Sequence, residues 1–191
     1  MPALSQAVAR TPKKFQDLRL VRRKQTRQTG VVVDFFIADT HFGHENIVRY
    51  CGRPFKDATE MDETIIQNWN RVVTREDTVY HLGDFALAYK DRVVEYFNAL
   101  NGRKILIMGN HDRQRTVTFW KKIGFAEVHK EPLLYGWLYL LSHEPILSTG
   151  LNNIHGHTHG NASTGVCVSC EAIGYTPRTF LELSEGGNSW K

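Results

Sequence analysis

The chain reads as a mixed α/β domain: two sheets, part parallel and part antiparallel, packed face to face with helices outside. Three observations predict this. Short apolar runs that read as buried strands recur from residue 31 to residue 183. In the first half they alternate with amphipathic segments at helical spacing, and in the second half they follow one another with only turns between.

The elements follow in order. After Gly30 the character changes, and Val31-Val32-Val33-Asp34-Phe35-Phe36-Ile37-Ala38 reads as a mostly buried strand, because β-branched and aromatic residues suit a pleated surface. Thr59 to Arg71 is predicted helical, with Met61, Ile65 and Trp69 on one stripe. Thr78 to Leu82 is the next strand. Tyr89 to Leu100 reads as a second helix carrying Val93, Tyr96, Phe97 and Leu100 inward and stopping before Asn101-Gly102. Lys104 to Met108 is again a buried strand. A third helix is expected over Gln114 to Ile123, closed by Gly124. Shorter strands are expected near Ala126 to His129, Leu138 to Ser142, Asn153 to His155, Val166 to Ser169 and Phe180 to Leu183. This gives a basic N-terminal extension over residues 1–30, one domain over 31–185 and a short tail over 186–191.

Composition narrows the class. With 191 residues, 41% hydrophobic and 23% charged, the chain suits one soluble domain. The longest apolar run, Leu133 to Leu141, is broken by Gly136 and falls far short of the roughly 20 residues that span a bilayer. The N-terminus lacks the apolar core of a secretory signal, so a cytoplasmic protein is expected. Charge is uneven: residues 1–30 hold eight Lys or Arg against Asp17 alone, a local net charge of +7, while the remainder carries −3. Such an arm reads first as a solvated, disordered extension, and second as an attractor of nucleic acid or another polyanion. Cys51 is remote in sequence from Cys167 and Cys170, and the latter two, three apart in a strand-like run, leave opposite faces; all three read as packing cysteines.

The chemistry lies at strand ends. Asp39 and His41, two apart, leave the same face if extended geometry persists past the strand, and His157 and His159 repeat the device. Together they offer mixed oxygen and nitrogen donors without thiolate, which suits manganese, iron, zinc or nickel better than calcium. Asp84 sits beyond the Thr78 to Leu82 strand after Gly83, and a carboxylate is the side chain best able to bridge two cations. Asn110 and His111 follow Gly109 and diverge in a turn, so one can ligate a metal while the other faces substrate. Asp112 would orient the His111 ring as a general acid, or cap the next helix; the two roles are compatible. His143 ends another apolar run, and His44 is a candidate for the pocket wall. His81, His129 and His155 fall within strands and are left out.

These motifs, Asp39-Thr40-His41, Gly83-Asp84, Gly109-Asn110-His111-Asp112, His143 and Gly156-His157-Thr158-His159, resemble in kind and order those of the calcineurin-like metallophosphoesterase superfamily. The likeness runs from Val33 to Glu182, and the segments Phe42-Gly43-His44-Glu45-Asn46-Ile47, Arg53-Pro54-Phe55 and Asn68-Trp69-Asn70 resemble its small bacterial and phage members. The resemblance implies a four-layer α/β/β/α sandwich of two mixed sheets. It implies one metal held by Asp39, His41, Asp84 and His159, and a second held by Asp84, Asn110, His143 and His157, with Asp84 as the bridge. It further implies two divalent ions, commonly manganese, and direct attack on phosphorus by a hydroxide bridging them, with His111 assisting the leaving oxygen.

The expectation is therefore a metal-dependent phosphoesterase, acting on a diester of nucleotide or nucleic-acid type rather than a monoester. No insertion between the motifs is long enough for a cap domain, which favours an open site. The competing expectations are a phosphomonoesterase or protein phosphatase and, behind it, a non-catalytic scaffold on the same fold, disfavoured by the complete donor set.

Overall fold

The computed structural model describes residues 30–146, 150–161 and 164–185. The basic extension, apart from Gly30, and the tail over 186–191 lie outside the described residues. No helix among those described is long and apolar enough to cross a membrane.

Among the described residues nine strands form two sheets. The first contains β1 (Asp34–Ile37), β2 (Thr78–His81), β3 (Arg103–Ile107), β4 (Glu127–His129) and β9 (Arg178–Thr179), in the order β4-β3-β2-β1-β9. Its first four strands are parallel and β9 runs antiparallel to β1. The second contains β5 (Leu133–Tyr135), β6 (Tyr139–Ser142), β7 (Asn152–His155) and β8 (Val166–Cys167), in that order, with only β5 antiparallel. This is the α/β arrangement of two mixed sheets with helices that the sequence predicts.

The sheets meet through aromatic rings. Tyr135 packs edge-on against Phe36 at 5.3 Å and Tyr80 at 5.3 Å, and its hydroxyl donates to Asp34 Oδ2 at 2.9 Å. At the carboxyl end of β1 they are also tied by backbone, since Ala38 N–H donates to Val168 O at 2.8 Å and Cys170 N–H to Ala38 O at 3.1 Å. Shearing one sheet against the other would break these bonds.

The helices are α1 (Glu45–Tyr50), α2 (Ala58–Val72), α3 (Lys90–Ala99), α4 (Val117–Ile123) and α5 (Phe180–Glu185). The stripe Met61, Ile65 and Trp69 of α2 is fully buried, as predicted, and Asp57 caps the helix by accepting from Glu60 N–H at 2.8 Å. Fully burying one such side chain stabilises by about 1.5–3 kcal/mol, so this face alone anchors the helix.

Four local expectations need correction. Val31 and Val32 are 62% and 60% exposed, because the partner strand β2 begins opposite Asp34 and leaves them without a neighbour. Gln114 to Ile123 is not one helix; a single 3₁₀ turn at Asp112–Gln114 precedes α4, whose cap is Thr116. Glu45–Tyr50 is helical and Leu133–Tyr135 is a strand, neither anticipated. Phe180 to Leu183 is helix rather than strand. Thr179 and Glu182 close a reciprocal cap there, with Thr179 N–H to Glu182 Oε2 at 2.7 Å and Glu182 N–H to Thr179 Oγ1 at 3.3 Å.

Candidate metal centre

Asp39 and His41 follow β1, Asp84 follows β2, Asn110 and His111 follow β3, His143 follows β6, and His157 and His159 follow β7. Every one of these side chains lies just past the carboxyl end of a parallel strand, the edge at which open α/β sheets form ligand sites.

The extended geometry expected of the Asp39/His41 and His157/His159 pairs does not persist. Asp39 (φ 56°), His41 (φ 48°), Asp84 (φ 56°), His157 (φ 66°) and His159 (φ 50°) all occupy the left-handed region. Among the described residues only Trp137 and Tyr175 are further non-glycine cases. The conformation costs an L-residue about 1–2 kcal/mol, and such strain concentrates at functional sites. Strand alternation is thus not what aims these side chains. The loops after β1 and β2 instead run on together, with Asp39 N–H to Gly83 O at 2.9 Å and His41 N–H to Asp84 O at 3.0 Å.

Two clusters result. In the first, Asp39 Oδ1 lies 3.9 Å from both His41 Nε2 and His159 Nε2. In the second, His143 Nε2 lies 2.9 Å from Asn110 Oδ1 and 3.2 Å from His157 Nδ1. Asp84 Oδ2 stands between them, 3.5 Å from His41 Nε2 and 3.6 Å from His143 Nε2. The approach of these loops depends on glycine. A Cβ at Gly83 would fall 2.5 Å from His143 Nδ1 and 2.6 Å from Gly109 N, and one at Gly109 would strike the Asp84 carboxylate.

Supporting contacts fix each donor. His143 Nδ1 faces Leu82 O at 2.8 Å, which places the ring proton there and leaves a lone pair on Nε2. Glu171 Oε1 takes His159 Nδ1–H at 3.0 Å in the same way and also pairs with Arg53 Nε at 2.8 Å. Arg53 in turn donates to Asp39 O at 2.7 Å and Thr40 O at 3.2 Å. Asp39 Oδ2 accepts from Ser169 Oγ at 2.7 Å and His157 N–H at 2.8 Å, freeing Oδ1 for the cluster. Sequence reasoning singled out neither Glu171 nor Ser169. Ser169 ends the Val166 to Ser169 run and Glu171 lies two residues past it, at the same sheet edge as the donors after β7.

The donor set fits a cation. Asp39 Oδ1 and both ring nitrogens of His41 are buried with no hydrogen-bond partner, an arrangement that costs about 1–3 kcal/mol per atom when nothing binds there. Lone pairs of His143 Nε2, Asn110 Oδ1 and Asp84 Oδ2 likewise face one another. Burial raises the Asp39 carboxyl, against the pull of His143 and His159. It pushes the His41 ring well below the usual imidazole range, helped by Arg53 and the neighbouring histidines. A bound divalent cation favours the deprotonated donor in both cases.

His111 and His44 are half-buried, with ring centroids 6.1 Å apart, each within 5.5 Å of the His41 ring. Asp112 does not orient the His111 ring. It is fully buried, and its oxygens accept from Asp84 N–H at 2.7 Å, Gly109 N–H at 2.9 Å and Phe85 N–H at 3.1 Å, while His111 Nδ1 has no hydrogen-bond partner. Three backbone donors already occupy the carboxylate. The omitted histidines stand apart: His81 bonds Thr40 Oγ1 at 2.9 Å, His129 pairs with Glu127 at 3.1 Å, and His155 faces two backbone carbonyls. Cys51, Cys167 and Cys170 are all unpaired thiols.

Comparison with known proteins agrees with this geometry. An uncharacterised protein of Methanocaldococcus jannaschii is 38% identical over 159 residues, covering 75% of this chain and 84% of its own. The gene 66 protein of Mycobacterium phage L5 is 26% identical over 159 residues, covering 65% of this chain and 76% of its own. A crystal structure of a protein of unknown function from Aquifex aeolicus superposes with a TM-score of 0.65 at 29% identity, covering 81% of this chain and 99% of that one. The family model described as calcineurin-like phosphoesterase matches residues 35–186, a span that takes in both donor clusters. With 152 positions matched from the first sheet strand to the last helix, the chain belongs to the calcineurin-like phosphoesterases, metal-dependent hydrolases of phosphate esters whose family implies a dinuclear divalent site.

Proposed function

We propose that the protein hydrolyses phosphodiester bonds of a nucleotide or nucleic-acid substrate, using manganese as the working metal. The observation that carries the reading is the single oxygen Asp84 Oδ2 lying between two histidine nitrogens, one from each cluster. Asp39, His41, Asp84 and His159 would hold one ion, and Asp84, Asn110, His143 and His157 the other. Bound there, two divalent ions supply Lewis acidity that lowers the pKa of water and neutralises phosphate charge.

The chain's own groups do the rest. Asp84 Oδ2 faces both clusters while its Oδ1 accepts from His111 N–H at 3.0 Å, which locks the carboxylate plane. That bond also fixes the His111 backbone, so its half-exposed ring stands over the clusters, where it would donate a proton to the departing oxygen. Beside His157 and His159 a cleft of about 480 Å³ is bounded by Tyr50, Cys51, Thr158 and Asn161. Access at that edge favours a diester with substituents on both sides. The basic character of residues 1–30 supports attraction of a polyanionic substrate. Three unpaired thiols fit a reducing cytoplasm.

The test is hydrolysis of an aryl phosphodiester and an aryl phosphomonoester with added manganese, by the wild type, His111→Ala and Asp84→Ala. His111→Ala should lose on the order of 10²–10⁴ in kcat with metal binding intact. Asp84→Ala should lose metal stoichiometry as well. Equal turnover by all three proteins would refute the site, and a monoester-only profile would refute the diester preference.

A further inference from the structure

A second cavity, of about 520 Å³, lies against the loop that carries His41 and His44. Its wall includes Gly43, Thr59, Asp62, Tyr89, Arg92 and Arg115. Both flanks of His44 contribute to it, through Gly43 and Glu45, and Arg115 lies four residues beyond His111. The loops bearing the two half-exposed histidines therefore each donate a wall to this space.

Its chemistry is built rather than incidental. Arg115 is fixed by donation to Ala88 O at 2.7 Å and by its guanidinium lying 4.4 Å from the Phe119 ring centroid. Arg92 is fixed by donation to the Tyr96 hydroxyl at 3.0 Å, with its guanidinium 5.0 Å from that ring, and by an ion pair with Glu95 Oε2 at 2.5 Å. Two held guanidinium groups thus share one concavity. At the rim Tyr89 projects its ring 89% exposed, an aromatic surface with no packing duty in the fold. The volume lies within the range of small-molecule sites. Glu45 and Asp62 line the same space, so it is of mixed charge, with the two guanidinium groups as its anion contacts and Tyr89 as an aromatic edge. Guanidinium contacts beside an aromatic plane are the combination by which proteins hold single-stranded nucleic acid, since every base has a stacking face and every linkage an anion.

We infer that this cavity seats the nucleoside next to the scissile phosphate of a single-stranded substrate, with Tyr89 as the stacking surface and Arg92 and Arg115 as the contacts to the adjoining phosphate. This rests on the phosphodiesterase reading above. It makes the substrate a chain of at least two nucleotides rather than a free cyclic or mononucleotide.

The experiment compares the full-length wild type with Tyr89→Ala, Tyr89→Phe and Arg92→Gln across a series of salt concentrations, the basic arm being common to all four proteins. Two readouts are taken: calorimetric binding of a trinucleotide to metal-stripped protein, and the ratio of kcat/KM for the trinucleotide to that for an aryl diester with manganese. Tyr89→Ala should weaken trinucleotide binding and lower the ratio on the order of tenfold, while Tyr89→Phe retains both. Arg92→Gln should weaken binding and reduce the salt slope by about one. Unchanged binding in Tyr89→Ala and Arg92→Gln would overturn the inference, as would equal loss on both substrates. If the wild type hydrolyses no diester, the proposed function fails on its own account, and trinucleotide affinity of the stripped protein still decides the cavity's role.

Discussion

Replacing Asp112 by alanine tests whether its carboxylate works on the backbone instead of on a catalytic ring. The two oxygens hold the N–H groups of Asp84, Phe85 and Gly109, joining the loop after β2 to the loop after β3 in a place with no solvent. Deleting the carboxylate strands three buried donors, each worth about 1–3 kcal/mol; allowing for relaxation, Asp112→Ala should cost about 3–5 kcal/mol. That is a large part of the roughly 5–15 kcal/mol that holds a domain together. Asp112→Asn keeps one acceptor oxygen but turns an amide NH₂ toward a backbone donor, so its cost should be smaller, about 1–2 kcal/mol. Urea unfolding of metal-stripped protein measures both, read from the midpoint at constant slope. The reasoning is refuted if Asp112→Ala unfolds within about 0.5 kcal/mol of the wild type. It is also refuted if Asp112→Asn matches wild-type stability yet loses about 10² or more in kcat, which would return the carboxylate to the His111 ring.

Three further outcomes are expected. Burial pushes the Asp62 carboxyl up to about 7, against hydrogen bonds from Tyr96 and Gly43 N–H. Its folded form therefore keeps a proton that the unfolded chain has released; the contribution is complete below about pH 4 and is lost as pH rises through about 7. The non-ionising Asp62→Asn should match the wild type near the acid end and exceed it by up to a few kcal/mol at about pH 8, and parallel stability curves across that span would reject this. Glu171→Gln removes the charge that holds both His159 Nδ1–H and Arg53, and calorimetry should find manganese affinity about 10–100-fold weaker; unaltered affinity would mean His159 needs no support. Chelation should lower the melting temperature, and manganese at about 100 times its Kd should restore about 2.7 kcal/mol, whereas identical melting in chelator and metal would rule out binding to the folded form alone.

Much of the centre was legible because each donor sits beside a short apolar run, so the ends of β1, β2, β3, β6 and β7 could be located from pattern alone. The aim of the side chains was not legible. Alternation in a strand gives a direction only while φ stays negative, and Asp39, His41, His157 and His159 all leave that region at the point of interest. Glu171 escaped notice because its role comes from contacts with Arg53 and His159, which lie 118 and 12 positions away and belong to no local pattern. The misread Phe180 to Leu183 segment is different. Thr179 and Glu182 spell out a capping pair three apart, and giving that signal precedence over the aromatic-apolar run would have made it a helix.

The centre draws its donors from both sheets, from Asp39 after β1 to His159 after β7, with Glu171 further along the chain supporting the last of them. No fragment of the chain owns a usable set, so an ion gains little from a partly assembled molecule and cannot act as a folding nucleus. Its grip is felt on the way out: loaded protein should denature more slowly while its refolding rate stays the same, making metal supply a control on lifetime.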